Sequence, residues 1–529
     1  MTIPKQTHAM VFPLAGWGHV RPLLHLVINL LQIHPGLHLT LLLQPSVAPK
    51  VEHELKSAEL VQLGSGGFLD RMQCFNIGTH RDESDFLALQ GQEEIIDFIN
   101  ALPEDILALY GRGQGVGKRQ NRFIEIPPSF AFFDIFQSFV PDVVSNTLRS
   151  ASIDMIPLLA FCPSNAVAVF HHFASESQGG FIELLIRLVD EDVAKGMGRL
   201  DAWAKHVFAS YGILKNLPGL PAKYDYELRP LYGAVGFPPA LTTILLEGLK
   251  AVKNPHTTAL IISTPGELEP EAHKACEEAF GKKLHMAGLQ FPESAWLGTP
   301  AEPGALANPD DQRVMAHMDS MLKKHGERSV VYASFGSMFW PIRRPELVNY
   351  LLDSLMIAGL PFVFAYASEM AQLPEDLKER VAAYGDGIIV KFAPQWQVLD
   401  HPASGFFVSH CGSNSTAEAI LTSTPMACMP FAADQGEFAT AICDNWKAGV
   451  MLKQTFTFSD KKFTTLSDGT EVIGTEEAIK AELADLWSKI RGPEGQEMRR
   501  NMGKIRAICE ESWKTGESRQ TMESIAQYF

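Results

Sequence analysis

Cysteine is scarce and unpatterned in this chain of 529 residues: there are seven, an odd number, with no C-x-x-C spacing. A disulfide framework or a thiolate zinc site needs paired or regularly spaced thiols, so these read as reduced cysteines of a cytosolic compartment. Positive charge is also in deficit. Lys and Arg total 45 against 61 Asp and Glu, a formal net charge of -16. That balance lacks the basic footprint which binding to a phosphate backbone requires, and it argues against nucleic acid as a partner. No apolar run reaches the roughly 18 residues needed to cross a bilayer. The opening Ala9-Met10-Val11-Phe12 is too short for the core of a secretory leader, so no transmembrane segment and a cytoplasmic location are expected. A G-x-G-x-x-G between a strand and a helix is missing too. The glycines at 111, 113, 115 and 117 are spaced differently and follow no apolar strand, which argues against a dinucleotide-dependent dehydrogenase.

What is present is an alternation of short apolar runs and amphipathic helices, the pattern of parallel sheets covered on both faces. Met10 to Phe12 reads as a strand and Pro13 to His19 as a glycine-containing turn. Leu23, Leu26, Val27, Leu30 and Leu31 fall at helical spacing, and Leu39 to Leu43 reads as the next strand. Further strands are predicted at Ala131 to Phe133, Pro157 to Phe161 and Leu260 to Ser263. A Pro- and Gly-rich passage interrupts the pattern from Phe291, after which Ser329 to Phe335, a helix from Glu346 to Gly359 and a strand from Phe362 to Tyr366 restart it. The length fits two or three units. The boundaries predicted are a first domain over 1–290, a linker over 291–311, a second domain over 312–500 and a terminal helix over 501–529 that crosses back to the first domain. Residues 454–474 read as an added surface loop.

The run from Phe392 to Gln435 carries the most chemistry. Gly405 to Ser409 is an apolar strand, His410-Cys411-Gly412-Ser413-Asn414 a small polar turn, and Ser415 to Leu421 the start of a helix. Backbone N–H groups and the positive end of a helix dipole converge on such a turn, and Gly412 lets the backbone approach a ligand closely, so a diphosphate suits it. Taken alone, Ser415-Thr416-Ala417-Glu418 also reads as a capping box.

The whole run, with Val330-Val331-Tyr332-Ala333-Ser334-Phe335-Gly336-Ser337 before it, resembles the UDP-dependent glycosyltransferases of family 1, which make small-molecule glycosides. The resemblance implies an α/β fold of GT-B architecture, two doubly wound parallel-sheet domains facing each other across a cleft. It implies that Phe392 stacks on uracil and that Gln395 helps hold uracil and ribose. Glu418 would take the ribose hydroxyls, His410, Gly412, Asn414 and Ser415 would surround the diphosphate, and Ser413 would lie next to the sugar. Gly336 and Ser337 would offer N–H and hydroxyl groups to the nucleotide. Asp434 and Gln435 would bind the sugar hydroxyls, a task suited to a carboxylate and an amide. In plant members a Gln at the position of Gln435 goes with glucose, whereas Ser413 stands where those members carry Trp, which widens the pocket.

The same resemblance makes His19 the general base that takes the proton of the acceptor hydroxyl. An imidazole with an ordinary pKa of about 6.5 is mostly neutral and still basic near pH 7. Its carboxylate partner is Asp134, at the end of a strand, with Asp142 as the alternative. The expected reaction is an inverting transfer of a sugar, glucose first, from a UDP-sugar to a hydroxyl of a small hydrophobic acceptor, giving a β-glycoside. The UDP-sugar is a co-substrate and no cofactor or metal is required. Asp190-Glu191-Asp192 spells a D-x-D pattern, but in a charged helical segment that reads as a solvated face. Phe68, Phe75, Phe86, Phe123, Phe136, Phe170 and Phe173 are candidates for an apolar lining that suits a phenol, terpenoid, sterol or lipid hydroxyl. Gly64 to Gly67 and Gly111 to Gly115 are candidate loops at its mouth. The protein is expected to be a monomer. The alternative reading is a sensor that binds a UDP-sugar without turnover.

Overall fold

A computed structural model describes residues 5–61, 68–78, 89–113, 121–236, 242–296, 309–460 and 462–529. Gly64 to Gly67, the glycines at 115 and 117, Phe86, the side chain of Phe68 and residues 297–308 of the linker lie outside the described residues. The chain forms two compact units, one of Met1–Leu184, Ala240–Gly304 and Cys509–Phe529, the other of Leu185–Pro239 and Ala305–Ile508.

The first five strands are β1 (Thr7–Phe12), β2 (Leu37–Leu43), β3 (Met72–Asn76), β4 (Phe130–Asp134) and β5 (Leu158–Cys162). A short antiparallel pair, β6 (Leu214–Lys215) and β7 (Lys223–Tyr224), follows in the second unit, then β8 (Thr257–Ile262) and β9 (Lys283–Met286) return to the first. The first unit carries a seven-stranded sheet in the order β3-β2-β1-β4-β5-β8-β9, parallel throughout. Every residue of β1, β4 and β5 is buried, which is why residues 9–12, 130–133 and 158–162 read as unbroken apolar runs: both faces are covered.

In the second unit β10 (Val330–Ser334), β11 (Phe362–Ala365), β12 (Gly387–Val390), β13 (Ser404–Ser409), β14 (Met426–Cys428) and β15 (Gly449–Met451) form a parallel six-stranded sheet in the order β12-β11-β10-β13-β14-β15. The strands and helices expected from periodicity are present, with shifts of up to three residues at their ends. Each unit is thus a doubly wound α/β sheet.

Two assignments went beyond what periodicity could reach. Residues 185–239 fall within the sequence-based span 1–290 but belong to the second unit. There Leu231, Tyr232, Ala234 and Val235 share a core with Val331, Phe335, Phe362 and Phe406. Apolar spacing shows that a segment has a face to bury, not which sheet it covers. The last residues, Cys509–Phe529, belong to the first unit. The Phe529 ring stacks on Phe130 at 5.0 Å, His34 Nε2 lies 2.9 Å from the Met522 carbonyl, and Tyr528 and His285 are hydrogen-bonded at 2.8 Å. Among the described residues no helix is long and apolar enough to cross a membrane.

The segment that joins the second core also constrains a glycine. A Cβ on Gly436 would lie 2.0 Å from the Leu228 carbonyl oxygen, whereas one on Gly503, inside the helix Pro493–Lys514, would meet only the Ser423 hydroxyl at 3.9 Å. Gly503→Ala is therefore expected to stabilise by roughly 0.5–1 kcal/mol, the usual gain from removing a helical glycine. Gly436→Ala should lower the unfolding temperature by several degrees, about 2–4 °C for each kcal/mol lost. Thermal unfolding of the two variants checks both signs.

Candidate active site

In a doubly wound sheet, ligands bind beyond the carboxyl ends of the strands where the strand order reverses. That reversal lies between β1 and β4 in the first sheet and between β10 and β13 in the second, and the candidate residues cluster at both points.

In the first unit, β1 and β4 pair in register to Phe12 opposite Phe133, so the chain leaves both strands at the same level. Asp134, the last residue of β4, is fully buried. The turn after β1 leads into the helix Trp17–Ile33, whose third residue is His19. His19 Nδ1 is 2.7 Å from Asp134 Oδ2, and the other carboxylate oxygen accepts the backbone N–H of Phe136 at 2.9 Å. Gln137 fastens the two loops together, its amide donating to the Pro13 carbonyl at 2.9 Å. The structure therefore pairs His19 with Asp134. The alternative, Asp142, sits in the first turn of the helix Phe139–Ser150, where its carboxylate accepts from Asn254. The Phe136 ring packs beside His19, with ring centres 5.1 Å apart. Phe136 and Phe173 both close on Gly248, where an added Cβ would lie 3.0 Å from Phe136 and 2.3 Å from Phe173. Of the other phenylalanines named above, Phe75, Phe123, Phe170 and Phe173 are buried core.

Arg21 opposes the dipole at the start of its helix, and the compensating anion is Glu54. Arg21 Nε donates to Glu54 Oε1 at 3.3 Å, and His25 Nε2 lies 2.8 Å from the same oxygen. Burial pushes the Glu54 carboxyl up, but the His25 hydrogen bond and the Arg21 charge outweigh it and bring it down to about 2.

In the second unit, β10 and β13 end level, Ser334 opposite Ser409. Gly336 follows β10 with a φ of +72°, and His410 follows β13. A Cβ on Gly336 would lie 2.8 Å from His410 Nε2, and one on Gly412 only 2.6 Å from that atom, so the imidazole is held between two glycine backbones. Burial lowers the His410 pKa to about 4, against a smaller raising effect of the Ser334 backbone, so this ring is neutral near pH 7. Phe339 lies over His410 and beside Phe431, at 6.1 and 5.8 Å between ring centres, which joins the loops after β10, β13 and β14. Between His410 and Gly412, Cys411 adopts a φ of +64°, a conformation that non-glycine residues hold only at a cost.

The helix after this turn is Ser413–Leu421, with Gly412 as its N-cap residue and no acidic side chain in its first turn. Ser415 is thus already inside the helix, and the capping-box reading of Ser415 to Glu418 fails. Glu418, 2% exposed, instead accepts from Gln395 Nε2 at 2.7 Å, and the same amide reaches the Ser415 hydroxyl at 3.2 Å. The Tyr332 hydroxyl donates to Gln395 Oε1 at 3.2 Å, a residue that sequence reasoning missed. A tyrosine inside a buried apolar strand was the available signal, since a buried hydroxyl needs a partner. Phe392, just ahead of the helix Gln395–Asp400, is 55% exposed. Ser337 is exposed in the turn after β10, and Ser413 and Asn414 lie half-buried at the helix start. Asp434, half-buried, precedes the helix Gln435–Thr440. Gln435 is 2% exposed, and its Oε1 accepts the N–H groups of Phe431 and Ala432 at 2.8 and 3.2 Å. The carboxylates of Asp190, Glu191 and Asp192 are engaged by Arg199, Arg187 and His206, respectively, at 2.7, 2.6 and 2.9 Å.

Residues 273–467 match the family described as "UDP-glucoronosyl and UDP-glucosyl transferase". A flavonol 3-O-glucosyltransferase of Actinidia chinensis var. chinensis is 34% identical over 199 residues, 37% of this chain and 40% of that enzyme, so the chain matches less than half of that relative's length. A UDP-glycosyltransferase of Hericium erinaceus is 24% identical over 500 residues, 91% of this chain and 90% of the relative. Among solved structures, a UGT transferase from Siraitia grosvenorii in complex with UDP superposes with a TM-score of 0.66 at 19% identity, covering 99% of both chains.

His410 belongs to a set of buried imidazoles with a thermodynamic signature. Burial lowers His8, His285 and His410 to about 4 from 6.5. Below pH 6.5 the unfolded chain takes up protons that the folded chain refuses, so the stability they confer is complete above that pH and lost as pH falls toward 4. Each should contribute a slope approaching about 1.4 kcal/mol per pH unit in this window. Urea unfolding of wild type and of His410→Asn across the window should show a shallower slope in the variant.

Proposed function

We propose that the chain is a UDP-dependent glycosyltransferase of family 1 and that it transfers a sugar from a UDP-sugar to a hydroxyl of a small hydrophobic acceptor. The observation that carries this reading is the 2.7 Å hydrogen bond between His19 Nδ1 and the buried Asp134 carboxylate at the reversal point of the first sheet. With Nδ1 donating to Asp134, Nε2 carries the lone pair that can take a proton. A binding protein has no need of a base oriented in this way.

The proposed step is a single displacement. The acceptor oxygen attacks the anomeric carbon, its proton passes to His19 Nε2, the bond from that carbon to UDP breaks, and the configuration inverts to a β-glycoside. Asp134 stabilises the imidazolium that forms, the role of the carboxylate in hydrolase triads. UDP leaves with its diphosphate on the turn His410 to Ser415, where helix N–H groups and dipole stabilise the developing charge, so a metal is not required. Gln395 and Glu418 hold the nucleoside and Phe392 stacks on its base. Asp434 and Gln435 hold the sugar. Glucose is the donor sugar proposed first: Gln435 is the amide that goes with glucose in the resembled family, and the Actinidia relative is named a glucosyltransferase. Phe136 beside His19 favours an acceptor with an apolar or aromatic body. A cytoplasmic location and a monomeric state complete the proposal.

UDP release measured with a panel of UDP-sugars and hydroxylated aromatic acceptors tests this reading. Release that depends on the acceptor supports it, and UDP-sugar binding without release would replace it with the sensor. His19→Ala is expected to cut kcat by about 10²–10⁴-fold while leaving UDP affinity intact. Asp134→Asn should also lower kcat, by up to about 10⁴-fold, because the asparagine favours the wrong tautomer. Treatment with a chelator should leave turnover unchanged; loss of activity would overturn the metal-free step.

A further inference from the structure

At the end of the second sheet remote from the His410 turn, the starts of β10, β11 and β13 line a cavity of about 700 Å³. Four arginines line it, and three of them, Arg328, Arg491 and Arg499, have no carboxylate partner among the described residues. Arg499 donates to the carbonyls of Ser423 at 3.1 Å, Ser404 at 3.2 Å and Gly405. Arg491 donates to the Gly359 carbonyl at 3.0 Å. Arg328 is anchored through its backbone N–H, which reaches the Pro402 carbonyl at 2.9 Å, and holds a left-handed φ of +57°. The other lining cations are already matched, Arg500 with Glu497 and His325 with Asp386, and the lining residues include one carboxylate, Glu327. Burial and the charge of Arg328 together lower Arg499 to about 10. Gly495 and Gln496, from the first turn of the 22-residue helix Pro493–Lys514, line the same cavity and add the positive end of its dipole.

In a chain with a formal charge of -16, three clustered guanidiniums would be expected to recruit carboxylates. Those of Arg491 and Arg499 donate instead to carbonyls, which accept hydrogen bonds but do not neutralise charge. We propose that this cavity binds a small, multiply charged phosphate compound, an inorganic polyphosphate or a soluble phosphate ester, at a site separate from the nucleotide turn. A guanidinium presents paired N–H donors that match two oxygens of a phosphate, and several converging guanidiniums favour a ligand with more than one charge. The volume lies within the range of small-molecule sites, about 300–1,000 Å³. β10 and β13 run from this cavity to the turn that holds His410, so the two sites share a rigid connection.

Calorimetric titration of tripolyphosphate into UDP-saturated protein at constant ionic strength tests the proposal. UDP occupies the nucleotide turn, so remaining heat reports a second site. One saturable event is expected, weakened about tenfold by Arg328→Ala and again by Arg491→Ala, the loss of one charge-assisted contact each. Arg499 is left intact because it clamps three backbone carbonyls. UDP affinity equal to wild type shows that the variants are folded. A parallel arm with phosphatidate vesicles separates a lipid headgroup from a soluble phosphate. Absence of saturable heat, affinity unchanged in the double variant, or binding to vesicles alone would overturn the proposal.

Discussion

The reversal of strand order at the centre of each sheet is the constraint on which the site depends. Crossovers between parallel strands are right-handed, so the connection leaving β1 toward β2 and the one leaving β4 toward β5 pass on opposite faces. The loops diverge and leave a gap that the backbone cannot fill. His19 comes from the first turn of the helix that follows β1 and Asp134 from the end of the neighbouring strand, 115 residues apart in sequence and 2.7 Å apart in space. The same geometry recurs in the second sheet, where Gly336 follows β10 and the turn at His410 follows β13.

Around these gaps the protein fixes its polar groups by removing their freedom. Asp134 has one oxygen on His19 and the other on a backbone N–H, so its carboxylate cannot rotate away. His410 is confined by two glycines so close that a methyl group on either would collide with the ring. Gln395 is held from one side by Tyr332 and from the other by Glu418 and Ser415. A group fixed in this way loses little entropy when a ligand binds, which is the physical advantage of preorganisation.

Charge is handled differently in the two units. In the first, the cation Arg21 at an unfavourable helix position is compensated by Glu54, which His25 also engages. In the second, Arg328, Arg491 and Arg499 cluster around a cavity, and the guanidiniums of the latter two find carbonyls rather than carboxylates. The contrast separates an internal ion pair, complete within the protein, from a cluster whose charge the protein leaves uncompensated.

The sequence by itself determined the fold class, because alternating apolar runs and helical periodicity are local properties set by the burial of both sheet faces. It also located the polar turn His410 to Asn414, since a strand, a glycine and a helix start are written consecutively. Tertiary structure decided what depended on distant partners. Periodicity placed Asp134 at a strand end and Asp142 in a helix, but only the pairing of β1 with β4 brought the first to His19 and left the second with Asn254. Ser415 to Glu418 has the spelling of a capping box, yet the helix begins two residues earlier and Glu418 turns to Gln395. The sharing of Leu231 to Val235 with the second core, and the gathering of three arginines at the far end of its sheet, were likewise invisible in the chain. A linear pattern records which face of an element must be buried, whereas long-range contacts depend on strand order and register, which no short stretch of sequence encodes.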